Sequence, residues 1–364
     1  MKKATHSARK TWWFVALGCV ALALGVVALR QLRLPPPAPP VVTPPASAPE
    51  PPRPITLTFV GDIMLSEGVG KVAKQHGVPY LFAGVKKQLT ADDLTIGNLE
   101  CAVSTRGARE EKTYTFRADP ALLPGLRKSG IEAVTLANNH ALDFGRQALL
   151  DTLVNLRKAG IVSVGAGVDA EEAYRPALLT VGEQRVALLG ASRVLPTDRW
   201  AAGEEQSGIA SAYDPARLLE EIRRVRPNAD LVVVYFHWGR ERKLSPERYQ
   251  RLLARQCIDA GADLIIGSHP HVPQGFEYYR GKLIVYSLGN FVFNTRTKST
   301  MMVQTTFREG KLQSATAIPC TYAAYRPRVA TKAALRRPLL AFLRKYSFGV
   351  TVGADGVLSE KASR

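Results

Sequence analysis

His269 and His271 stand one residue apart in "ADLIIGSHPHVPQG" (262–275), directly after a short apolar run, in a chain with only six histidines. Other residues able to hold a metal or move a proton recur in the same setting. Asp62, Glu100, Asn139 with His140, and His237 each close an apolar, β-branched run that reads as a strand. Neutral imidazole, carboxylate and amide oxygen together suit Mn, Fe or Zn, and the set could hold one such ion, or two spaced by roughly 3.5–4 Å. A single histidine at a strand end is usually a satisfied structural residue. Five strand ends that each carry such groups point instead to a divalent metal site.

The elements that would position these groups are legible as alternation. Runs such as "ITLTFVGD" (55–62), "LTIGNLE" (94–100), "IEAVTLANNH" (131–140), "GIVSVGAG" (160–167), "QRVALLGAS" (184–192), "ADLVVVYFHWG" (229–239) and "GKLIVYSLGNFVF" (281–293) are separated by helical stretches. This is the pattern of an α/β fold with a largely parallel sheet. Strand ends in an open α/β sheet meet at one crevice, so residues distant in sequence would converge there. Helices are expected over 214–228, with Asp214 as cap and Pro215 in the first turn, and over 245–261, opening at Ser245–Pro246 and closing at Gly261. "LRRPLLAFLRKY" (335–346) reads as an amphipathic helix in a basic C-terminal extension, 321–364.

Residues 1–33 contain a basic start and then nineteen uncharged residues, 11–29, close to the roughly 20 that span a bilayer as a helix. Lys2, Lys3, Arg9 and Lys10 precede the run, while Arg30 and Arg33 follow it. That bias keeps the N-terminus in the cytoplasm and places the rest in the periplasm or outside the cell, as a single-pass protein of the inner or cell membrane. A cleaved signal peptide is the rival reading. Residues 34–54 hold eleven prolines and form a semi-extended linker. The three exported cysteines, Cys101, Cys257 and Cys320, allow one disulfide at most. The 49 Lys and Arg against 31 Asp and Glu, a net charge of +18, favour an anionic partner. The cations are scattered and no nucleic-acid-binding signature accompanies them, so nucleic acid is not the expected partner.

"TFVGDIML", "IGNLE", "LANNHALDFG", "FHWGRE", "IGSHPHVPQGFE" and "YSLGNFVFN", in this order, resemble the CapA family of poly-γ-glutamate capsule synthesis proteins over 55–320. The resemblance implies a four-layer α/β/β/α sandwich like that of the calcineurin-like metallophosphoesterases. It also implies metal ligation by Asp62, Glu100, Asn139, His237, His269 and His271, with His140 as acid or transition-state stabiliser. Glu241 fits a general base or a ligand, and equally an exposed carboxylate paired with Arg240 or Arg242. Asp143, Asn98 and Asn290 are expected to orient ligands or meet substrate, with Asp143 fixing an imidazole tautomer. Trp238 either packs beneath its loop or touches substrate. Met64 stands where the phosphoesterase pattern has a histidine, which weakens one of the two metal positions.

The function implied is a metal-dependent hydrolase or transferase acting on poly-γ-glutamate or a related anionic envelope polymer, alongside other capsule synthesis proteins. A non-catalytic polymer-binding or export component and a phosphoesterase are the alternatives. The protein should sediment with membranes, and protease added outside spheroplasts should digest everything beyond the linker to a short fragment. A soluble domain beginning near residues 30–35 would show cleavage instead.

Overall fold

Residues 52–294 and 297–362 are described by the computed structural model. The expected span at 11–29 lies outside them, and no helix among the described residues is long and apolar enough to cross a membrane. In chain order the strands used below are β1 (Ile55–Ile63), β2 (Leu94–Leu99), β3 (Ala133–Thr135), β4 (Val162–Val164), β5 (Ala177–Val181), β6 (Gln184–Ser192) and β7 (Leu231–His237). They continue as β8 (Leu264–Ser268), β9 (Phe276–Tyr279), β10 (Lys282–Val285), β11 (Asn290–Val292), β12 (Ser299–Arg308), β13 (Lys311–Ala323) and β14 (Arg326–Val329).

These strands build two mixed sheets rather than the one largely parallel sheet the alternation suggests. The first runs β14-β13-β12-β1-β2-β3-β4, with β11 also paired to β1; the second runs β9-β10-β8-β7-β6-β5. The first is parallel from β1 to its β4 edge and antiparallel from β1 to its β14 edge, and the second has a parallel centre with antiparallel pairs at both edges. The reason for two sheets is visible in the period-two alternation. Ile55, Leu57 and Phe59 of β1 share a core with Leu188, Val233, Tyr235, Leu264 and Ile266 of the second sheet. Val232, Val234 and Phe236, the alternate residues of β7, pack instead against helices. Strands buried on both faces read as continuous apolar runs.

Helices cover the two outer faces. Helices α1 (Glu67–His76) and α2 (Gly145–Lys158) place Val69, Ala73, Leu149 and Leu156 on the first sheet. Helices α3 (Ala216–Val225) and α4 (Arg248–Ala260) place Leu218, Ile222, Leu253 and Cys257 on the second. Asp214 accepts from the Ala216 amide at the start of α3, as its cap role anticipates. Helix α4 starts later than expected, because Glu247 and Gln250 form a capping box that takes over from Ser245. The segment after 320 runs on within the first sheet: β13 ends at Ala323 and β14 pairs with it. Helix α5 (Ala333–Lys345) then sends Leu339, Leu340 and Leu343 into the core between the sheets. Cys101, Cys257 and Cys320 are buried and free.

Two local features aim the strand ends. The run read as one strand at 281–293 is two, β10 in the second sheet and β11 in the first, so the chain crosses between sheets at 286–289. There β1 is irregular between Phe59 and Asp62, and a side chain on Gly61 would lie 1.7 Å from the Gly289 carbonyl oxygen. Only glycine permits that approach. The sheets are further joined by Tyr235, whose hydroxyl donates to the Val60 carbonyl at 2.7 Å inside the core. Tyr235→Phe would remove that bond and should cost about 0.5–1.5 kcal/mol in denaturant unfolding.

Candidate metal centre

Strand register sets the site. Asn98, Asp62 and Asn290 lie side by side on β2, β1 and β11, and Ser192, His237 and Ser268 lie side by side on β6, β7 and β8. The two rows meet at Asn98. Its Nδ2 donates to Asp62 Oδ1 at 2.8 Å, lies 3.4 Å from Glu100 Oε2, and lies 3.1 Å from His237 Nδ1. Asn138, next to the expected ligand Asn139, fixes Asn98 from behind: its Nδ2 donates to Asn98 Oδ1 and to the Leu99 carbonyl, both at 2.9 Å. His271 Nδ1 lies 2.8 Å from Asn290 Oδ1 and 3.5 Å from Asp62 Oδ2.

The donor set fits a divalent cation. Ligand atoms of Glu100, His269 and His271 lie within 4.8 Å of one another, as do those of Asp62, Glu100 and His237, so the two groups share Glu100. Glu100 Oε1 and His269 Nδ1 are buried and have no hydrogen-bond partner among the described residues. A buried polar atom left in this state costs about 1–3 kcal/mol, and coordination would satisfy both. The charge state agrees. Burial, then the neighbouring Asp62 charge, pushes the Glu100 carboxyl well above its usual range. Burial, then the adjacent imidazoles, pushes His237 well down, and His269 falls to about 3 for the same reasons. Burial opposes charge on Asp62 too, but hydrogen bonds from His271 and Asn98 hold it below the usual carboxylate range. His271 is the exception among the imidazoles: burial opposes its charge, but Asp62 and Asn290 raise its pKa above the usual range.

His269 and His271 have φ angles of 98° and 59°, and Arg242, whose amide donates to the Pro270 carbonyl at 2.8 Å, has 61°. Non-glycine residues rarely adopt this left-handed region, and such strain gathers at functional sites. The His-Pro-His turn is thus held open by its surroundings rather than by local preference.

Beside these groups, His140 is oriented by Asp143, Nδ1 to Oδ2 at 2.6 Å, as the sequence suggests for Asp143. The same carboxylate accepts from the Phe116 amide and from Lys112 Nζ, which also donates to the Asn139 carbonyl. Phe116 stacks on the imidazole at 4.2 Å between centroids. With its Nδ1 proton committed, His140 presents Nε2 toward the centre, 3.9 Å from Glu100 Oε1. Burial lowers its pKa despite Asp143, leaving the ring neutral and Nε2 able to accept a proton.

Asn139 is half-buried beside the centre, its Oδ1 2.8 Å from His237 Nε2. Glu241 is exposed on the loop after β7 and forms no ion pair with Arg240 or Arg242; it meets the centre only through its field at His271. Trp238 packs under the loop, stacked on Phe236 and donating to the Tyr286 carbonyl. Met64 is fully buried among apolar residues, and its sulfur accepts from the Ser66 amide at 3.1 Å. Sequence reasoning missed Lys112 and Asn138. The doubled asparagine in "NNH" was a signal for the second, whereas Lys112 sits in an aperiodic loop that carries none.

This is a mixed α/β protein with candidate metal-ligating residues clustered at the strand ends. The family described as "Bacterial capsule synthesis protein PGA_cap" matches residues 56–295, and the chain belongs to it. It is 35% identical over 294 residues to the capsule biosynthesis protein CapA of Bacillus anthracis, covering 77% of this chain and 70% of that one. The PGA biosynthesis protein CapA of Bacillus subtilis is 36% identical over 256 residues, 69% of this chain and 67% of that one. Among solved structures, the 5'-nucleotidase of Candida albicans aligns over 68% of this chain and 47% of its own, at 10% identity and a TM-score of 0.39.

The purified protein should carry about one or two equivalents of Mn, Fe or Zn, and replacing both His269 and His271 by Ala should remove most of it. Chelation should lower the melting temperature, since a ligand at a hundred times its Kd adds about 2.7 kcal/mol to the native state. A metal-free protein whose stability ignores added metal would overturn the assignment.

Proposed function

We propose that this chain is a metal-dependent hydrolase or transferase of capsule synthesis. It would act on poly-γ-glutamate or a related anionic envelope polymer, anchored through residues 11–29, with its domain in the periplasm or outside the cell. The observation that carries the reading is the pair of unpartnered buried atoms, Glu100 Oε1 and His269 Nδ1, in a cluster with Asp62, His237 and His271. A structural cluster would have satisfied them from within. The family and the names of its capsule-synthesis relatives supply the polymer. The net charge of +18 suits a polyanion, and other capsule synthesis proteins are the expected partners.

A divalent ion held by Asp62, Glu100, His237, His269 and His271, with Asn139 at the margin, would supply Lewis acidity, polarising a carbonyl or phosphoryl oxygen and making water a nucleophile near neutral pH. The chain's own contribution is proton movement and order. His140 Nε2 takes a proton from the attacking water and returns it to the departing nitrogen or oxygen. Asp143 keeps the ring in the tautomer that allows this, and Lys112 with the Phe116 amide keeps Asp143 in place. Asn98 holds Asp62 and His237 in fixed relation across the two sheets.

Depolymerisation of poly-γ-glutamate, with a generic phosphodiester in parallel, tests the reading across Mn, Fe and Zn. His140→Ala should lower the rate by roughly 10²–10⁴ while leaving metal content nearly intact. His237→Ala should lose metal and rate together. Turnover unchanged in His140→Ala would remove its proton-transfer role, and no turnover under any condition would remove the enzyme.

A further inference from the structure

The strand-end centre is flanked by arginines that the fold holds without giving them an anion. Arg193 directly follows β6, and its amide donates to the His237 carbonyl at 2.9 Å. Its guanidinium lies 3.7 Å from the Tyr213 ring centroid and 5.2 Å from that of Tyr249. Tyr249 in turn uses its hydroxyl to accept from the Gly239 amide at 2.6 Å, which ties the clamp to the loop carrying Arg240 and Arg242. That loop is fixed to the metal centre through the Arg242 amide and the Pro270 carbonyl, between His269 and His271. Arg240 and Arg242 are exposed, and neither they nor Arg193 pairs with a carboxylate among the described residues. Lys243, next in the loop, does pair, with Glu247 at 2.7 Å. The aromatic contacts restrict the Arg193 guanidinium while supplying no acceptor for its N–H groups, which is the arrangement for a bidentate carboxylate. Glu241 leaves this loop with a cationic surplus.

We infer that Arg193, clamped by Tyr213 and Tyr249, together with Arg240 and Arg242, forms a subsite that binds carboxylates of a polyanionic chain and leads it across the metal centre. The inference rests on the polymer reading above and gives that reading its recognition residues. A guanidinium ordered in advance loses less freedom when the anion arrives, so Arg193 should contribute more than an arginine held by nothing.

The test is binding of fluorescently labelled poly-γ-glutamate oligomers to the full chain in detergent, at fixed ionic strength. Arg193→Gln should weaken binding about tenfold or more, the scale of a hydrogen-bonded charged pair. Arg193→Lys should recover part of the loss at most, and Tyr213→Leu should weaken binding without any change of charge. Arg240→Gln with Arg242→Gln should also weaken it. The control pair, Arg308→Gln with Lys311→Gln, removes equal charge from the hairpin at the opposite end of β1 and should change affinity by about twofold or less. Metal content should be the same in all. Losses in Arg193→Gln no larger than in the control pair, or wild-type binding by Tyr213→Leu, overturn the subsite. If the subsite variants bind selectively worse but no polymer is cleaved, the subsite stands and the hydrolase falls. Cleavage with unchanged KM in Arg193→Gln gives the converse, and a wild-type chain that binds no polymer removes both.

Discussion

The carbonyl of Gly289 occupies the space where a side chain on residue 61 would stand, and most of the centre follows from that contact. Because β1 and the crossing segment can touch at backbone distance, the Asp62 amide reaches the Gly289 carbonyl at 3.0 Å and Asn290 falls into register beside Asp62. Gly289 is itself pressed on its other side by Pro273, at a φ of 70°. Ser287 donates to the Val272 carbonyl at 2.8 Å, so the crossing also carries the loop that follows His271. One short segment thereby locks the carboxylate of the first sheet to the imidazoles of the second. A side chain at either glycine would push the two halves apart.

With the halves locked, the electrostatics become costly by design. Asp62 and Glu100 are withdrawn from water next to each other, and burial pushes the pKa values of His237 and His269 down while Asp62 raises that of His271. Burial on this scale disfavours charge unless a partner compensates it. Asn98 compensates in part, being a neutral donor that touches both carboxylates and His237 at once. An amide can bridge like charges where a lysine would fill the site. What remains uncompensated, Glu100 Oε1 and His269 Nδ1, is what a cation needs.

His140 has supports of its own beside the candidate ligands. Lys112 lies 4.8 Å from the Trp200 ring centroid and binds both Asp143 and the Asn139 carbonyl, so one ammonium ties the His140 loop to the segment around 110–116. Asp143, with donors from Lys112, Phe116 and His140, has little freedom left.

By itself the sequence determined the family, the candidate ligands and the alternation. The residue types at the strand ends pointed to a candidate metal site, the six ordered motifs named the family, and the apolar runs marked most of the central strands. Those signals are local: a strand end, a cap or a motif is written within about ten neighbouring residues. Only the tertiary structure decided that the strands divide between two sheets, because an apolar run buried on both faces looks the same in either. It alone broke the 281–293 run at the crossing and brought Asn290 beside Asp62. It alone gave Asn98 the central place, revealed Lys112 and Asn138, left Glu241 on the surface and put the Met64 thioether against the Ser66 amide. Each of those outcomes depends on which long-range neighbour lies within about 3 Å, and that distance is set by packing between segments tens to hundreds of residues apart.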